Sequence, residues 1–158
     1  MTKSEEYQGY FADCYVISAN RTKTFISDFL DAFVPNREES AACYELPQYG
    51  KDTQQIFNSV EDIIDFLIEK PTEEYSIYWR NIEISDLRHI MCFFTNDANV
   101  IFGISTETKY SNTEIEDAVF KRMQDFLGSN EGYITYESPP PRNRSEFLEL
   151  VKSNNKSL

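Results

Sequence analysis

Residues 75–106 constrain the fold of this chain more than any other stretch. They hold the only tryptophan and the only histidine, within a run that is rich in β-branched and aromatic residues. Apolar and polar residues alternate over 75–80, which is the pattern of a strand. Two apolar runs, 90–95 and 100–105, flank the turn sequence Asn-Asp-Ala-Asn. Because so short a loop joins antiparallel strands, the stretch predicts a three-stranded antiparallel meander at the centre of a sheet.

The rest of the chain mixes predicted helices and strands without a regular βαβ alternation. The spacing of apolar residues distinguishes the two kinds of element. Helices are predicted over 22–34, 60–69, the segment between Thr113 and Gly128, and 144–152, and further strands over 10–17, 41–46 and 133–137. This order predicts an α+β fold, with a largely antiparallel sheet of about five strands and three to four helices mainly on one face.

A single domain is expected to span residues 1–158, because a chain of this length can bury a core and no linker divides it. Residues 1–8 and 153–158 are polar and are expected to be disordered. The N-terminal residues lack the apolar segment of a signal peptide. No apolar run approaches the roughly 20 residues of a membrane span.

Three of the predicted helices begin with a capping sequence. Asn20 or Thr22 can cap the first, and Asn58 or Ser59 the second, where a side-chain oxygen accepts a hydrogen bond from a first-turn amide. Thr113 to Glu116 has the form of a capping box, in which the glutamate reaches back to the amide of the threonine. The acidic cluster at 114–117 is therefore interpreted as a helix start rather than as a pair of catalytic carboxylates.

Few residues can carry catalysis or bind a metal. Cys14, Cys43 and Cys92 are odd in number and widely spaced, which predicts buried free thiols in a reducing cytosol. Any Ser–His or Cys–His nucleophile would have to use His89. Zinc ligand sets, calcium loops and phosphate-binding glycine motifs are absent from the sequence. We therefore expect a cytoplasmic protein that is not an enzyme and has no cofactor or metal.

The charge balance indicates a basic protein partner. The chain has 27 acidic and 15 basic residues, a net charge of −12, which should repel nucleic acid and anionic membranes and attract basic proteins. The alternative is that this charge serves solubility alone. Tyrosine and tryptophan are frequent interface anchors; Trp79 falls on an apolar strand face and Tyr78 on a polar one. The candidate partner-binding residues are Glu73, Glu74, Tyr78, Glu83, Asp86 and Asp97.

A small acidic α+β domain without catalytic or metal-binding residues resembles the immunity proteins of bacterial toxin systems. The resemblance lies in the size, the charge and the missing catalytic groups of the whole chain. It implies an inhibitor that binds a cognate toxin or effector, often a basic one, and occludes its active site. In such a complex, carboxylates would pair with lysines and arginines of the partner, and an aromatic anchor would fill a pocket.

Three other functions remain open. An acidic phage inhibitor or nucleic-acid mimic would have the same composition. An enzyme or small-ligand-binding protein would place carboxylates and tyrosines in a concave pocket and shift the pKa of a carboxyl group there. A homodimer could form through an exposed sheet edge. A flat or convex surface around Tyr78 would favour the protein inhibitor over the ligand-binding cavity.

Overall fold

The computed structural model describes residues 11–156, which form an α+β fold, as predicted. The strands are β1 (Phe11–Ser18), β2 (Arg37–Glu39), β3 (Tyr44–Leu46), β4 (Gln55–Phe57), β5 (Tyr75–Asn81), β6 (Leu87–Phe94), β7 (Val100–Glu107) and β8 (Gly132–Thr135). The helices are α1 (Lys23–Phe33), α2 (Val60–Glu69), α3 (Glu114–Leu127) and α4 (Arg144–Lys156). The segment 1–8, which was expected to be disordered, lies outside the described residues.

Six strands form one sheet in the order β2-β5-β6-β7-β1-β8, and β3 and β4 form a separate two-stranded sheet. Every pair is antiparallel. The predicted meander is confirmed, because β5, β6 and β7 are neighbours in chain order. The amide of Thr95 donates to the carbonyl of Asn99 at 3.0 Å and closes the turn between β6 and β7.

Three helices cover one face of the sheet, and α4 covers part of the other. Phe29 of α1 is fully buried, and its ring centroid lies 4.7 Å from that of Phe102 on β7. On the opposite face, Phe147 of α4 lies 5.1 Å from the ring of Tyr133 on β8. Trp79 is buried beneath the three helices, as expected from its apolar strand face.

The short elements differ most from the prediction. The sequence pattern predicts no element over 36–40, but these residues contain β2, an edge strand of three charged residues that gives no apolar alternation. The strand expected over 41–46 contracts to β3, and β4 was not predicted. The helix expected over 144–152 continues to Lys156, so the part of the tail described by the structure is helical rather than disordered.

Two of the predicted caps form. The Thr22 hydroxyl accepts from the amide of Phe25 at 3.2 Å, and the Ser59 hydroxyl accepts from that of Asp62 at 3.2 Å. The third helix ends at Gly128, as expected, in the left-handed conformation (φ 63°) that glycine adopts readily. These ends are specified by local sequence, which is why the sequence predicts them.

The capping box predicted at the start of α3 does not form. The Thr113 hydroxyl donates to the Asp117 carboxylate at 2.8 Å and accepts no first-turn amide. Glu116 turns into the protein, where it is 0 % exposed and accepts hydrogen bonds from the hydroxyls of Thr108 and Tyr136, each at 2.7 Å. Both donors lie outside the helix, so Glu116 bonds to other parts of the fold rather than to the amide of Thr113.

The three cysteines are free, but they do not share one environment. Cys14 and Cys92 are buried, as expected, and burial raises the pKa of both thiols. Cys43 is exposed because it precedes the short strand β3 rather than lying within the central sheet.

Among residues 11–156, no helix is long and apolar enough to cross a membrane.

Candidate protein-interaction surfaces

The structure separates the six predicted partner-binding residues into two groups. Glu83 and Asp86 lie in the loop that joins β5 to β6. Residues 73–74 precede β5, and Asp97 lies in the turn between β6 and β7, so these three are at the other end of the hairpin. The seven residues of β5 set the two groups about 20 Å apart at roughly 3.3 Å per residue. Tyr78 lies between them, half-buried in the middle of β5.

The loop between β5 and β6 carries the most exposed large apolar side chain of the described residues. Ile84 has a relative accessibility of 105 %, and Ile82 is also exposed at 54 %. Glu83 lies between them and Asp86 follows two residues after Ile84. Both carboxylates are exposed and form no ion pair with another described residue. We refer to Ile82, Glu83, Ile84 and Asp86 as the loop tip. It presents two aliphatic side chains and two unpaired carboxylates on one projection.

Hydrogen bonds from Asn81 hold the loop tip in place. The Asn81 side-chain amide donates to the carbonyl of Leu87 at 2.9 Å, and its oxygen accepts from the amide of Glu83 at 3.1 Å. The amide of Ile82 donates to the carbonyl of Asn36 at 3.0 Å. A loop that is already ordered loses less conformational entropy on binding.

A depression of about 450 Å³ lies between the loop tip and α3. Its apolar lining includes Phe33, Leu87 and Val119, which are buried residues of the core. The guanidinium of Arg122 lies 4.8 Å above the ring of Phe33 at one side. The depression can therefore receive apolar side chains of a partner next to the point where Ile84 projects.

The surface around Tyr78 is concave. A groove of about 720 Å³ runs between the loop 47–50 and the segment 139–142. Tyr78 and Phe93 line the groove, with their rings edge to face at 5.9 Å. This is the shape that the ligand-cavity alternative requires, although the carboxyl group with a raised pKa, Asp13, does not line it.

A glutamine fixes one wall of the groove to the part of β5 that β2 does not pair with. The Gln48 side chain donates to the carbonyl of Ser76 at 2.7 Å and accepts from its amide at 2.8 Å, as a neighbouring strand would. Tyr49 follows directly, is 81 % exposed, and lines the groove together with Tyr78. Two tyrosines on adjacent parts of the wall thus present aromatic surface to the groove.

The opposite wall is the segment 139–142, which begins with three prolines and is anchored at both ends. The hydroxyl of Tyr15 donates to the carbonyl of Ser138 at 3.0 Å, and the amide of Asn96 donates to the carbonyl of Arg142 at 3.2 Å. The Arg142 side chain forms a forked ion pair with Glu74, from Nε to Oε1 at 2.5 Å and from Nη2 to Oε2 at 3.0 Å. This pairing raises the pKa of the Arg142 guanidinium.

Asp97 and Glu73, the other acidic candidates at the groove end of the hairpin, have different hydrogen-bond and ion-pair partners. Asp97 accepts the amide of Arg144 at the start of α4 at 2.9 Å, and hydrogen bonds lower the pKa of its carboxyl although partial burial opposes them. Glu73 uses its backbone carbonyl to bind Arg21 at 3.0 Å, whereas its carboxylate has no ion-pair partner among residues 11–156. Glu73 is therefore the carboxylate of the groove that remains available to a ligand.

Residues far apart in sequence form a polar row across the face of the sheet that α4 partly covers. Ser105 of β7 pairs with Asp13 of β1 on one side and with His89 of β6 on the other. Burial raises the pKa of Asp13 to about 6, and burial with the charges of Arg88 and Arg80 lowers the pKa of His89. A catalytic serine requires the histidine between the serine and the carboxylate. Here the serine stands in the middle, so this row is not such a triad.

No group of three or more His, Cys, Asp or Glu side chains within residues 11–156 is arranged to hold a metal ion. The loop tip and the groove are the candidate sites for a partner that involve the predicted residues. Comparisons with models of known protein families, with curated proteins and with solved structures found no match.

Proposed function

We propose that this protein binds and inhibits a basic protein partner through the loop tip, as immunity proteins bind their toxins. The observation that carries the proposal is the complete exposure of Ile84 between two unpaired carboxylates. An aliphatic side chain gains about 25 cal/mol for each Å² of apolar surface that a partner removes from water. Exposed apolar residues with a polar rim are typical of sites for protein partners.

The loop tip supports inhibition by occlusion. Its projection suits insertion into a cleft, where Ile84 would fill an apolar pocket and Glu83 and Asp86 would pair with lysines or arginines. An aliphatic anchor takes the role that the sequence assigned to Tyr78. The net charge of −12 adds long-range attraction to a basic partner and speeds the encounter.

The first experiment uses the tagged full chain as bait in a native lysate and elutes bound protein across a salt gradient. A stoichiometric basic protein that leaves as the salt concentration rises is the expected partner, because salt screens exposed ion pairs. The purified partner is then assayed for its own activity with and without the bait. Loss of that activity at a one-to-one ratio is the expected result.

Variants of the loop tip then test the surface by titration calorimetry. Ile84→Ser should weaken binding at least tenfold, whereas Ile56→Ser, which changes an isoleucine 52 % exposed on β4, should leave affinity unchanged. The double variant Glu83→Lys/Asp86→Lys should weaken binding more than Asp28→Lys/Asp52→Lys, which reverses two exposed charges elsewhere. If each loop-tip variant changed the affinity for the partner no more than its control does, the loop tip would be excluded as the docking surface.

A further inference from the structure

We propose that the groove around Tyr78 binds an extended, arginine-containing segment of a partner polypeptide, and that the chain's own Arg142 occupies the arginine position in its absence. This inference goes beyond the proposed inhibition, because it uses the end of the hairpin opposite to the loop tip. It rests on the segment 139–142, on the carboxylates at 73–74 and on the exposed tyrosines of the groove.

The segment 139–142 shows which group the acidic rim of the groove accepts. Pro139, Pro140 and Pro141 have fixed φ angles, which make the segment stiff and extended. They line the groove, and the next residue, Arg142, places its guanidinium on the carboxylate of Glu74 in the forked geometry typical of arginine. The acidic rim of the groove therefore already holds an arginine side chain, which projects from a proline-rich wall.

The intramolecular segment leaves recognition groups unused. Tyr49 and Tyr78 retain exposed ring surface, on which a guanidinium can stack. The Glu73 carboxylate has no ion-pair partner among the described residues. The groove volume of about 720 Å³ falls within the roughly 300–1,000 Å³ of typical ligand sites. Carboxylates beside aromatic rings select a cation, and the extended groove selects a polypeptide that carries it.

Arg142 can leave its position without disturbing the fold. Its side chain is 77 % exposed, and exposed ion pairs contribute little to stability. The backbone carbonyl of Arg142 is held separately by the amide of Asn96, so the segment stays in place when the side chain moves. An arginine from a partner can therefore replace the guanidinium of Arg142 on Glu74.

The binding test uses the full chain and an acetylated, amidated peptide of sequence Pro-Pro-Pro-Arg-Asn, labelled with a fluorophore and titrated by anisotropy. The matched peptide replaces arginine with citrulline, which has the same shape and no charge. The arginine peptide should bind at least tenfold more tightly. Equal binding of both peptides, or no binding of either, would overturn the proposal.

Two substitutions separate displacement of Arg142 from a general effect of charge. Arg142→Ala should raise the affinity for the arginine peptide at least threefold, because it frees Glu74. Lys121→Ala removes the same charge from a side chain 71 % exposed on α3 and should change affinity less than 1.5-fold. Equal effects of the two substitutions contradict the proposal.

Three further variants locate the binding site. Tyr78→Ala and Glu73→Gln should each weaken peptide binding at least fivefold, with thermal unfolding as the check on the fold. Glu73→Gln preserves side-chain size, so its result stands even where Tyr78→Ala disturbs the sheet. Ile84→Ser should leave peptide binding unchanged, which distinguishes failure of this proposal from failure of the loop tip. Unchanged affinity in Glu73→Gln would overturn the groove assignment.

Discussion

Arg21 donates two hydrogen bonds to the carbonyl oxygen of Leu67, from Nε at 3.2 Å and from Nη2 at 2.9 Å. The guanidinium is buried, and it also binds the carbonyl oxygens of Lys70, Glu73, Thr95 and Asn99. Burial lowers the pKa of Arg21 to about 10. A single side chain thus joins the end of α2, the turn between β6 and β7, and the segment that carries the acidic rim of the groove.

Replacing Arg21 should destabilise the fold strongly. Arg21→Ala is expected to lower the free energy of unfolding by about 3–5 kcal/mol, because each buried carbonyl left without a donor costs roughly 1–3 kcal/mol. Arg88→Ala, which removes an exposed ion pair with Glu107, should cost about 1 kcal/mol or less. Urea unfolding measures both. A loss in Arg21→Ala no larger than that in Arg88→Ala would show that the hydrogen bonds to the carbonyls do not hold these segments together.

Phe29 anchors α1 on the sheet. It is fully buried, and its ring packs against those of Phe33, Phe102 and Phe126. Phe29→Ala should lower the free energy of unfolding by about 3–5 kcal/mol, as large-to-small core substitutions do. Phe126→Ala serves as the control, since that ring is partly exposed and should cost less. A loss below about 1 kcal/mol in Phe29→Ala would mean that α1 is not packed as described.

The buried carboxylate of Glu116 depends on two hydroxyl donors. Tyr136→Phe removes one of them and leaves a ring of nearly the same size. It should lower the free energy of unfolding by about 1 kcal/mol or more, because a buried acceptor loses a partner. Chemical denaturation of the two proteins provides the measurement. An unchanged midpoint and slope would indicate that this hydroxyl does not stabilise the buried carboxylate.

Asp13 makes stability depend on pH in a specific direction. Burial raises the pKa of its carboxyl in the folded protein to about 6, from an ordinary value of 3.8. The folded state therefore holds this proton more tightly than the unfolded chain. The stabilisation from the protonated form is complete below pH 3.8 and is lost as the pH rises through about 6.

Asp13→Asn tests this dependence, because asparagine imitates the protonated carboxyl at every pH. Relative to Asp13→Asn, the native chain should lose free energy of unfolding as the pH rises from about 4 to about 6. Denaturant titrations at several pH values measure the difference. A constant difference across this interval would show that the folded state does not perturb the Asp13 pKa.

The sequence predicts the features that short-range patterns encode. The central meander follows from alternation around the turn at 96–99, and the caps at Thr22 and Ser59 follow from residues next to each helix. Both depend on contacts within a few residues. β2 escapes prediction because an edge strand needs no apolar alternation, and it forms only because β5 offers hydrogen bonds at its edge.

The candidate sites depend on which side chains the fold exposes, which a single sequence does not show. Ile82 and Ile84 alternate with polar residues as strand residues do, yet they project from a loop. Glu83 and Glu73 are equally acidic in sequence, but the hairpin places them at opposite ends. Glu116 matches a cap, and only donors 8 and 20 residues away turn it inward.

Hydrogen exchange of this chain alone and in complex with the captured partner tests the central proposal most directly. The proposal predicts slower amide exchange over 81–87 and the facing first turn of α3 in the complex. A captured partner that slows exchange elsewhere and leaves 81–87 unchanged would contradict docking through the loop tip, and so would the absence of any partner at low salt.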